Sequence, residues 1–313
     1  MDVVQGSRSL PLGAESSVTI GFFDGVHRGH QAVIGRAVRV AAERELRPVA
    51  VTFDRHPLET LSPGKKPLLL TALRRKAELI EALGIETLFV LEFTEEVSRW
   101  PAPAFVERVL DRGLSARHVV VGANFTFGHR AAGNMGTLAD LGPIHGFTAE
   151  AVATFKLEGR PVSSSSIREA LGEGELEWPE RALGRRHAVD GTVVPGAGRG
   201  RGLGFPTANL RTPEGILLPG RGVYAGRAMA GDGSWPAAIN VGVNPTFGRE
   251  PLHLEAHLLG FEGDLTGAVL TVEFWARLRE EVRFDGPAEL SRQIERDVAR
   301  TRHLVAGERP VIP

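Results

Sequence analysis

The chain changes character near residue 184, and that change limits the folds open to it. Before it, short apolar runs alternate with helix-like stretches. Val18-Thr19-Ile20, Val49-Ala50-Val51-Thr52-Phe53, Thr87-Leu88-Phe89-Val90-Leu91 and His118-Val119-Val120-Val121-Gly122 each suit a strand buried on both faces. Leu73 to Leu83 and Pro103 to Arg112 read as helices between them. Such alternation predicts a doubly wound, Rossmann-like parallel sheet. After residue 184 the text turns glycine-rich. Val189 to Val194, Gly222 to Ala230, Ala237 to Val243, Leu252 to Leu259 and Val269 to Leu278 follow one another with turns but no helices. That predicts a compact antiparallel β-barrel. A last helix carries Pro287 near its first turn and an apolar face at Leu290, Ile294 and Val298. The expected domains are 1–183 and 184–305, with 306–313 as a loose tail; 313 residues suffice for two cores.

Charge and cysteine content narrow the function. A net charge of −1 gives no global basic field to draw nucleic acid or an anionic membrane. No stretch is long and apolar enough for a bilayer or a signal peptide. The absence of cysteine excludes disulfides, thiol catalysis and cysteine-ligated zinc, and it fits a cytoplasmic protein. Basic residues are mostly arginine; the lysines are Lys65, Lys66, Lys76 and Lys156.

The run Gly21-Phe22-Phe23-Asp24-Gly25-Val26-His27-Arg28-Gly29-His30-Gln31 stands where the first strand turns into a helix. Residues three apart project from one side of a helical turn. A helix start also presents unpaired N–H groups and the positive end of the dipole, a setting for phosphate. Two imidazoles there can stabilise charge moving onto a leaving pyrophosphate. A bare pair of histidines near a glycine can equally be a helix cap or surface residues; Gly-Phe-Phe-Asp-Gly adds a tight turn and an aromatic wall for a base. The His-x-Gly-His pattern resembles the nucleotidyltransferase signature, in which ATP is attacked at its α-phosphate.

Ligands of such sheets sit beyond the carboxyl ends of the strands. Asp54-Arg55-His56-Pro57 and Asn124-Phe125-Thr126-Phe127-Gly128 are expected at the same edge as His27 and His30, although Pro57 also suits a plain turn. Ser163-Ser164-Ser165-Ser166-Ile167-Arg168 reads either as a serine-capped helix start or as a second anion clamp. In the second half, Gly196 to Gly204 is a glycine-rich loop containing Gly198, Arg199 and Arg201, followed by Phe205-Pro206-Thr207-Ala208-Asn209. It is either a flexible turn or a phosphate cradle with two arginines. It is not a Walker loop. Thr207 and Asn209 offer neutral oxygens of the kind Mg²⁺ accepts. In Leu254-Glu255-Ala256-His257, Glu255 and His257 share one strand face. That face is either merely solvated or carries a general base, Glu255, at the barrel mouth.

Taken in order, Gly-Phe-Phe-Asp-Gly-Val-His-Arg-Gly-His-Gln, Val-Thr-Phe-Asp-Arg-His-Pro, Asn-Phe-Thr-Phe-Gly, Ser-Ser-Ser-Ser-Ile-Arg and Gly-Phe-Pro-Thr-Ala-Asn resemble the prokaryotic bifunctional riboflavin kinase/FAD synthetase family, from about Val18 to Arg302. Asn240 to Phe247 and Leu278 to Phe284 resemble it too. The resemblance implies a nucleotidyltransferase domain that adenylylates FMN with ATP to give FAD and pyrophosphate. It also implies a barrel that phosphorylates riboflavin with ATP and Mg²⁺. On this basis Gly21, Phe22, Asp24, His27, His30, Asn124, Ser164 and Arg168 would hold ATP for adenylyl transfer. Gly198, Arg201, Thr207 and Asn209 would hold the kinase ATP, with Thr207 and Asn209 on Mg²⁺ and Glu255 as base. The expected partners are small molecules, with no nucleic acid or membrane, and the expected state is a monomer or weak homo-oligomer.

The chain departs from the family pattern at two places. Leu183-Gly184-Arg185-Arg186-His187 replaces Leu-Gly-Arg-Pro-Tyr, and Asp264-Leu265-Thr266-Gly267 replaces Asp-Leu-Tyr-Gly. Three other readings compete: another nucleotidyltransferase with an unrelated barrel, a flavin-sensing or nucleic-acid-binding regulator without turnover, and a class I aminoacyl-tRNA synthetase. The Pro-Thr-Ala-Asn and Glu255 segments count against the first. The intact histidines and the missing basic patch count against the second. The third would need a Lys-Met-Ser-Lys-Ser-like element, which is absent.

Overall fold

Each apolar run of the first half becomes a strand because layers of side chains cover it on both sides. A computed structural model describes residues 1–6, 13–62, 64–196, 199–243 and 252–306, without the side chains of Arg199 and Arg201. Gly198, the Arg201 side chain, Asn244 to Phe247 and tail residues 307–313 lie outside the described residues. The chain forms two compact units that divide between Ser164 and Ser165.

In the first unit, β1 (Asp2–Gly6), β2 (Ser16–Ile20), β3 (Arg47–Phe53), β4 (Thr87–Leu91), β5 (Ala116–Gly122) and β6 (Thr148–Val152) form one sheet. Its order is β1-β4-β3-β2-β5-β6, and every neighbouring pair is parallel. The helices are α1 (Arg28–Arg44), α2 (Pro57–Leu61), α3 (Leu73–Glu81), α4 (Glu95–Ser98), α5 (Ala102–Phe105, continued by a π-type turn Val106–Asp111) and α6 (Met135–His145). The two-residue period of the strands sorts the core. Ala50, Leu88 and Val90 meet Ile34, Leu79 and Ile80 from α1 and α3. Val49, Val51, Phe89 and Leu91 meet Phe105, Val106, Leu110 and Leu138 on the other face. This is the expected doubly wound sheet. The outer strands β1 and β6 carry no apolar run, since neither contains a fully buried residue, and periodicity alone does not mark them. A small hairpin, β7 (Lys156–Leu157) with β8 (Arg160–Pro161), follows.

Sheet order also locates the site. From β2 the chain builds outward through β3 and β4, then crosses to β5 on the opposite side of β2. Loops leaving β2 and β5 therefore diverge, opening a crevice at their carboxyl ends.

In the second unit, α7 (Ser164–Gly172, from Ser165 onward) and α8 (Glu177–Leu183) precede a closed barrel. Its strands are β9 (His187–Val194), β10 (Ala208–Arg211), β11 (Gly222–Ala230), β12 (Gly233–Gly242), β13 (His253–Leu258) and β14 (Val269–Arg279), with a short helix α9 (Arg199–Gly202) before β10. The order around the barrel is β10-β13-β12-β11-β14-β9, antiparallel throughout. The expected strands are all present; β10 is an addition, hidden in the sequence by the glycine-rich text before it. Val189, Leu210, Ile239, Val241, Leu254, Ala256, Val272 and Phe274 are buried among its core residues. Gly226 is required here: a Cβ would run into the Glu273 carbonyl and Ile239, at a register shift that bends β11. The closing helix α10 (Pro287–Val305) buries Asp297, Val298, Thr301 and Val305. Arg279 on β14 ties it down, Nε and Nη2 each donating to Asp297 Oδ2 at 2.9 Å.

Candidate functional site

The first candidate site is the turn between β2 and α1, which is strained. Phe23 and Val26 take φ of 53° and 40°, and Gly25 takes 79°. Positive φ is a true outlier for a β-branched residue, and such strain persists only where surroundings over-determine it. Asp24 supplies that restraint. It is 1% exposed, and its carboxylate accepts the N–H groups of Leu70 (2.9 and 3.1 Å) and Thr71 (3.2 Å). The Thr71 hydroxyl in turn accepts from the Gly25 N–H at 3.1 Å. Asp24 thus faces inward and holds the turn.

Beyond the turn, His27 caps α1. Its Nδ1 accepts the His30 N–H at 3.3 Å, and the two rings stack with centroids 3.6 Å apart. An imidazole that accepts at Nδ1 carries its proton on Nε2. Gly29 permits this stacking, because a Cβ there would sit 3.1 Å from the His27 ring. His30 is held well below the usual histidine range, first by burial, then by His27, then by Lys76. Its Nδ1 is covered and has no hydrogen-bond partner. The expected pair is therefore brought together as one stacked unit at a helix N-terminus, with burial favouring the neutral form of His30.

Phe22 stands edge-on to His56, centroids 4.9 Å apart, and the Gly21 N–H donates to the Val51 carbonyl at 3.0 Å. Asn124 lies exposed on the loop after β5, its amide donating to Thr154 Oγ1 at 3.5 Å. Ser164 reaches the turn directly, its hydroxyl donating to the Asp24 carbonyl at 2.9 Å. Arg168 lies on α7 within the second unit. Sequence reading passed over Lys76, which is 2% exposed on α3 and stands over the Phe22 ring at 4.0 Å. A lysine at the helical spacing of Leu73, Ala77 and Ile80, inside an apolar stripe, was the available signal.

The second candidate site lies on the barrel. Along β13, Leu254, Ala256 and Leu258 are buried, whereas His253, Glu255 and His257 are partly exposed. Strand alternation therefore puts Glu255 on the outer wall of the barrel and not at its mouth, a correction to the sequence expectation. Register places Asn209 of β10 and Asn240 of β12 directly opposite Glu255 on either side. Thr207 Oγ1 donates to Glu255 Oε2 at 3.5 Å, and His253 Nε2 lies 3.7 Å from Oε1. The Pro206 carbonyl is 2.7 Å from His257 Nδ1, which pins the Pro-Thr-Ala-Asn stretch to β13. A Cβ at Gly196 would strike the Asn209 amide, so the glycine leaves room for that side chain. Thr207, Asn209 and Glu255 thus form one patch of oxygen donors. Among the described residues no three acidic, histidine or cysteine side chains cluster as a metal cage.

Comparison with known proteins covers both sites. Residues 11–166 match the FAD synthetase family model, and residues 183–305 match the riboflavin kinase model. Relatives described as bifunctional riboflavin kinase/FMN adenylyltransferase include one from Pseudomonas fluorescens, 39% identical over 98% of this chain and 98% of its own. Another from Bacillus subtilis is 37% identical, covering 91% of this chain and 90% of its own. The Escherichia coli K12 relative is 32% identical over 99% of this chain and 100% of its own. A solved structure described as a macrolide-efflux protein from Streptococcus pneumoniae superposes with a TM-score of 0.87 at 27% identity, covering 96% of this chain and 99% of that one. With both family models matched in order and full-length relatives above 30% identity, this chain belongs to the bifunctional riboflavin kinase/FMN adenylyltransferase family.

Proposed function

We propose that the two sites run consecutive reactions: the barrel transfers the γ-phosphoryl group of ATP to riboflavin, and the sheet unit transfers AMP from a second ATP to FMN. The observation that carries the reading is the pairing of His27 and His30 at the helix start beyond β2 with the Thr207–Asn209–Glu255 patch on the barrel, one in each matched family region. The functional domains are assigned as 1–183 and 184–305.

In the adenylyl step the FMN phosphate is already a nucleophile, so the protein's work is positioning and charge stabilisation. It attacks the ATP α-phosphorus as the bond to pyrophosphate breaks. His27 donates from Nε2, because its Nδ1 is taken by the His30 N–H that it caps. A neutral His30 donates one ring N–H without bringing a counter-charge that would trap ATP in the ground state. Gly21, Phe22, Asn124, Ser164 and Arg168 are assigned to ATP from the sequence motifs, and Asp24 contributes by fixing the turn.

In the kinase step Glu255 takes the proton from the ribityl terminal hydroxyl as that oxygen attacks the γ-phosphorus and ADP leaves. Thr207 and Asn209 present a hydroxyl and an amide oxygen beside that carboxylate, a donor set that suits Mg²⁺ on ATP, since this ion takes few protein oxygens and keeps phosphate ligands. When bound, Mg²⁺ neutralises charge on the β- and γ-phosphates. Gly198 and Arg201 are assigned to the same phosphates from the sequence motif.

The Streptococcus pneumoniae description suggests transport, but among the described residues no helix is long and apolar enough to cross a membrane. We assign small-molecule partners only, a monomer or weak homo-oligomer, and action in the cytoplasm, where ATP is supplied. The deciding experiment is a time course of purified protein with riboflavin, ATP and Mg²⁺, separating the flavins by chromatography. FMN that rises and then gives way to FAD supports both assignments; FAD only from supplied FMN would remove the kinase role.

A further inference from the structure

Lys76 is a buried cation with no carboxylate in ion-pair contact among the described residues. It shares the inner face of α3 with Leu79 and Ile80, both buried. Its Nζ is 3.5 Å from Thr52 Oγ1, a long hydrogen bond, and 4.0 Å from the centre of the Phe22 ring. The ring offers a cation its negative face. Thr52 in turn donates to the Phe22 carbonyl at 3.0 Å, so both contacts of Lys76 lead to the same residue of the turn. Asp24 is the acid whose field reaches Lys76, but its carboxylate takes the N–H groups of Leu70 and Thr71.

An ammonium held without a direct ion pair is costly to bury, and the fold retains one here in a chain that holds four lysines among 37 basic residues. A methionine or leucine would fill the same apolar face at lower cost. Arginine would bring five donors into a pocket with one acceptor, whereas lysine brings a compact point charge. Three elements face the group: the turn with Asp24, α1 with His30, and β3 with the neutral Thr52. His30 feels the positive charge of Lys76.

We propose that Lys76 is a positioning residue for adenylyl transfer, holding Phe22 against the glycine turn and keeping a fixed positive charge behind the His27–His30 pair, where the ATP phosphates bind. The inference rests on the reading that this turn takes ATP. Burial lowers Lys76 to about 8, so the charge is present at neutral pH and leaves as pH rises through that value. Adenylyl transfer should therefore weaken on the alkaline side near pH 8, while riboflavin phosphorylation by the same molecule is indifferent to Lys76.

The test compares the intact bifunctional chain with Lys76→Met and Lys76→Arg variants. FMN adenylylation and riboflavin phosphorylation are measured separately across pH, with kcat and KM for ATP, alongside thermal unfolding. Lys76→Met is expected to lose about 10- to 100-fold in kcat/KM for ATP in adenylylation. It should also lose the alkaline limb near pH 8, phosphorylate riboflavin within about two-fold of the parent, and melt no lower, since an unpaired buried charge has gone. Lys76→Arg should recover part of the loss. Adenylylation by Lys76→Met within about two-fold of the parent would overturn the proposal. So would a parent profile flat through pH 8, which needs no variant to fold, or a loss accompanied by a lower melting point and an unchanged pH profile. His30→Ala separates the two levels: if it too keeps FAD formation, the ATP reading of the turn has failed, and if it alone loses FAD formation, only the Lys76 inference has.

Discussion

The two sites are built on opposite principles. The proposed adenylyl site stands where a parallel sheet ends, at a helix N-terminus, and the polar groups in and behind it are buried: Asp24, His27 and Lys76 are all under 7% exposed. The proposed kinase patch stands on the outer wall of a barrel whose interior is filled, and Glu255 keeps 32% of its side chain exposed. The difference follows from the sheets. Parallel strands diverge at a switch point and make a crevice, so a site there gains strong fields from low dielectric. A closed small barrel has no crevice, so its chemistry is carried outside, on the wall and the loops beside it. On the proposed reading the first site stabilises charge with buried, fixed groups, whereas the second uses a partly exposed carboxylate that takes a proton.

Glu255→Gln should break this contrast most sharply. Riboflavin phosphorylation is expected to fall by about 10²- to 10⁴-fold while supplied FMN still becomes FAD, read by chromatography of the flavins. Normal phosphorylation would remove the base assignment. His30→Ala is its mirror image, with FAD formation down by about 10²- to 10³-fold and FMN formation intact. Loss of both activities together would refute independent sites. Gly196→Ala is a milder probe of the outer-wall design. Its new methyl displaces the Asn209 amide, so phosphorylation should drop by about ten-fold with a raised Mg²⁺ requirement, measured by metal titration.

The smallest effect concerns stability. His187 stands where the family pattern has tyrosine; it is 4% exposed, stacks on Phe274, and its Nε2 has no hydrogen-bond partner. Burial holds it down to about 4 from the ordinary 6.5. Between these values the unfolded chain binds the proton and the native chain does not. Stability is thus complete above about 6.5 and is lost as pH falls toward 4, by about 3 kcal/mol at most. His187→Phe should flatten that slope in denaturant titrations at pH 7 and pH 4; an unchanged slope would assign the acid sensitivity elsewhere.

Much of this was legible in advance. The central strands β2 to β5 are buried on both faces, so apolar residues dominate them, and buried polar residues such as Ser16 and Ser17 bond to backbone carbonyls. The His27–His30 pair was legible because a helical turn alone brings residues three apart together. Lys76 was not read, since its meaning depends on Phe22 and Thr52, which reach it from other elements. Strands β1 and β6 were missed for a related reason: an edge strand is defined by the neighbour it pairs with, here β4 and β5.

The sequence by itself determined the class of each half, the order of the motifs and the chemistry their residue types permit, because periodicity, glycine placement and charge act over a few residues. Only the tertiary structure decided which way the groups face. It turned Asp24 inward onto the Leu70 and Thr71 amides, set Lys76 over the Phe22 ring, and placed Glu255 on the wall of the barrel between Asn209 and Asn240. Those outcomes depend on burial and on contacts between residues far apart in the chain, and no local pattern encodes them.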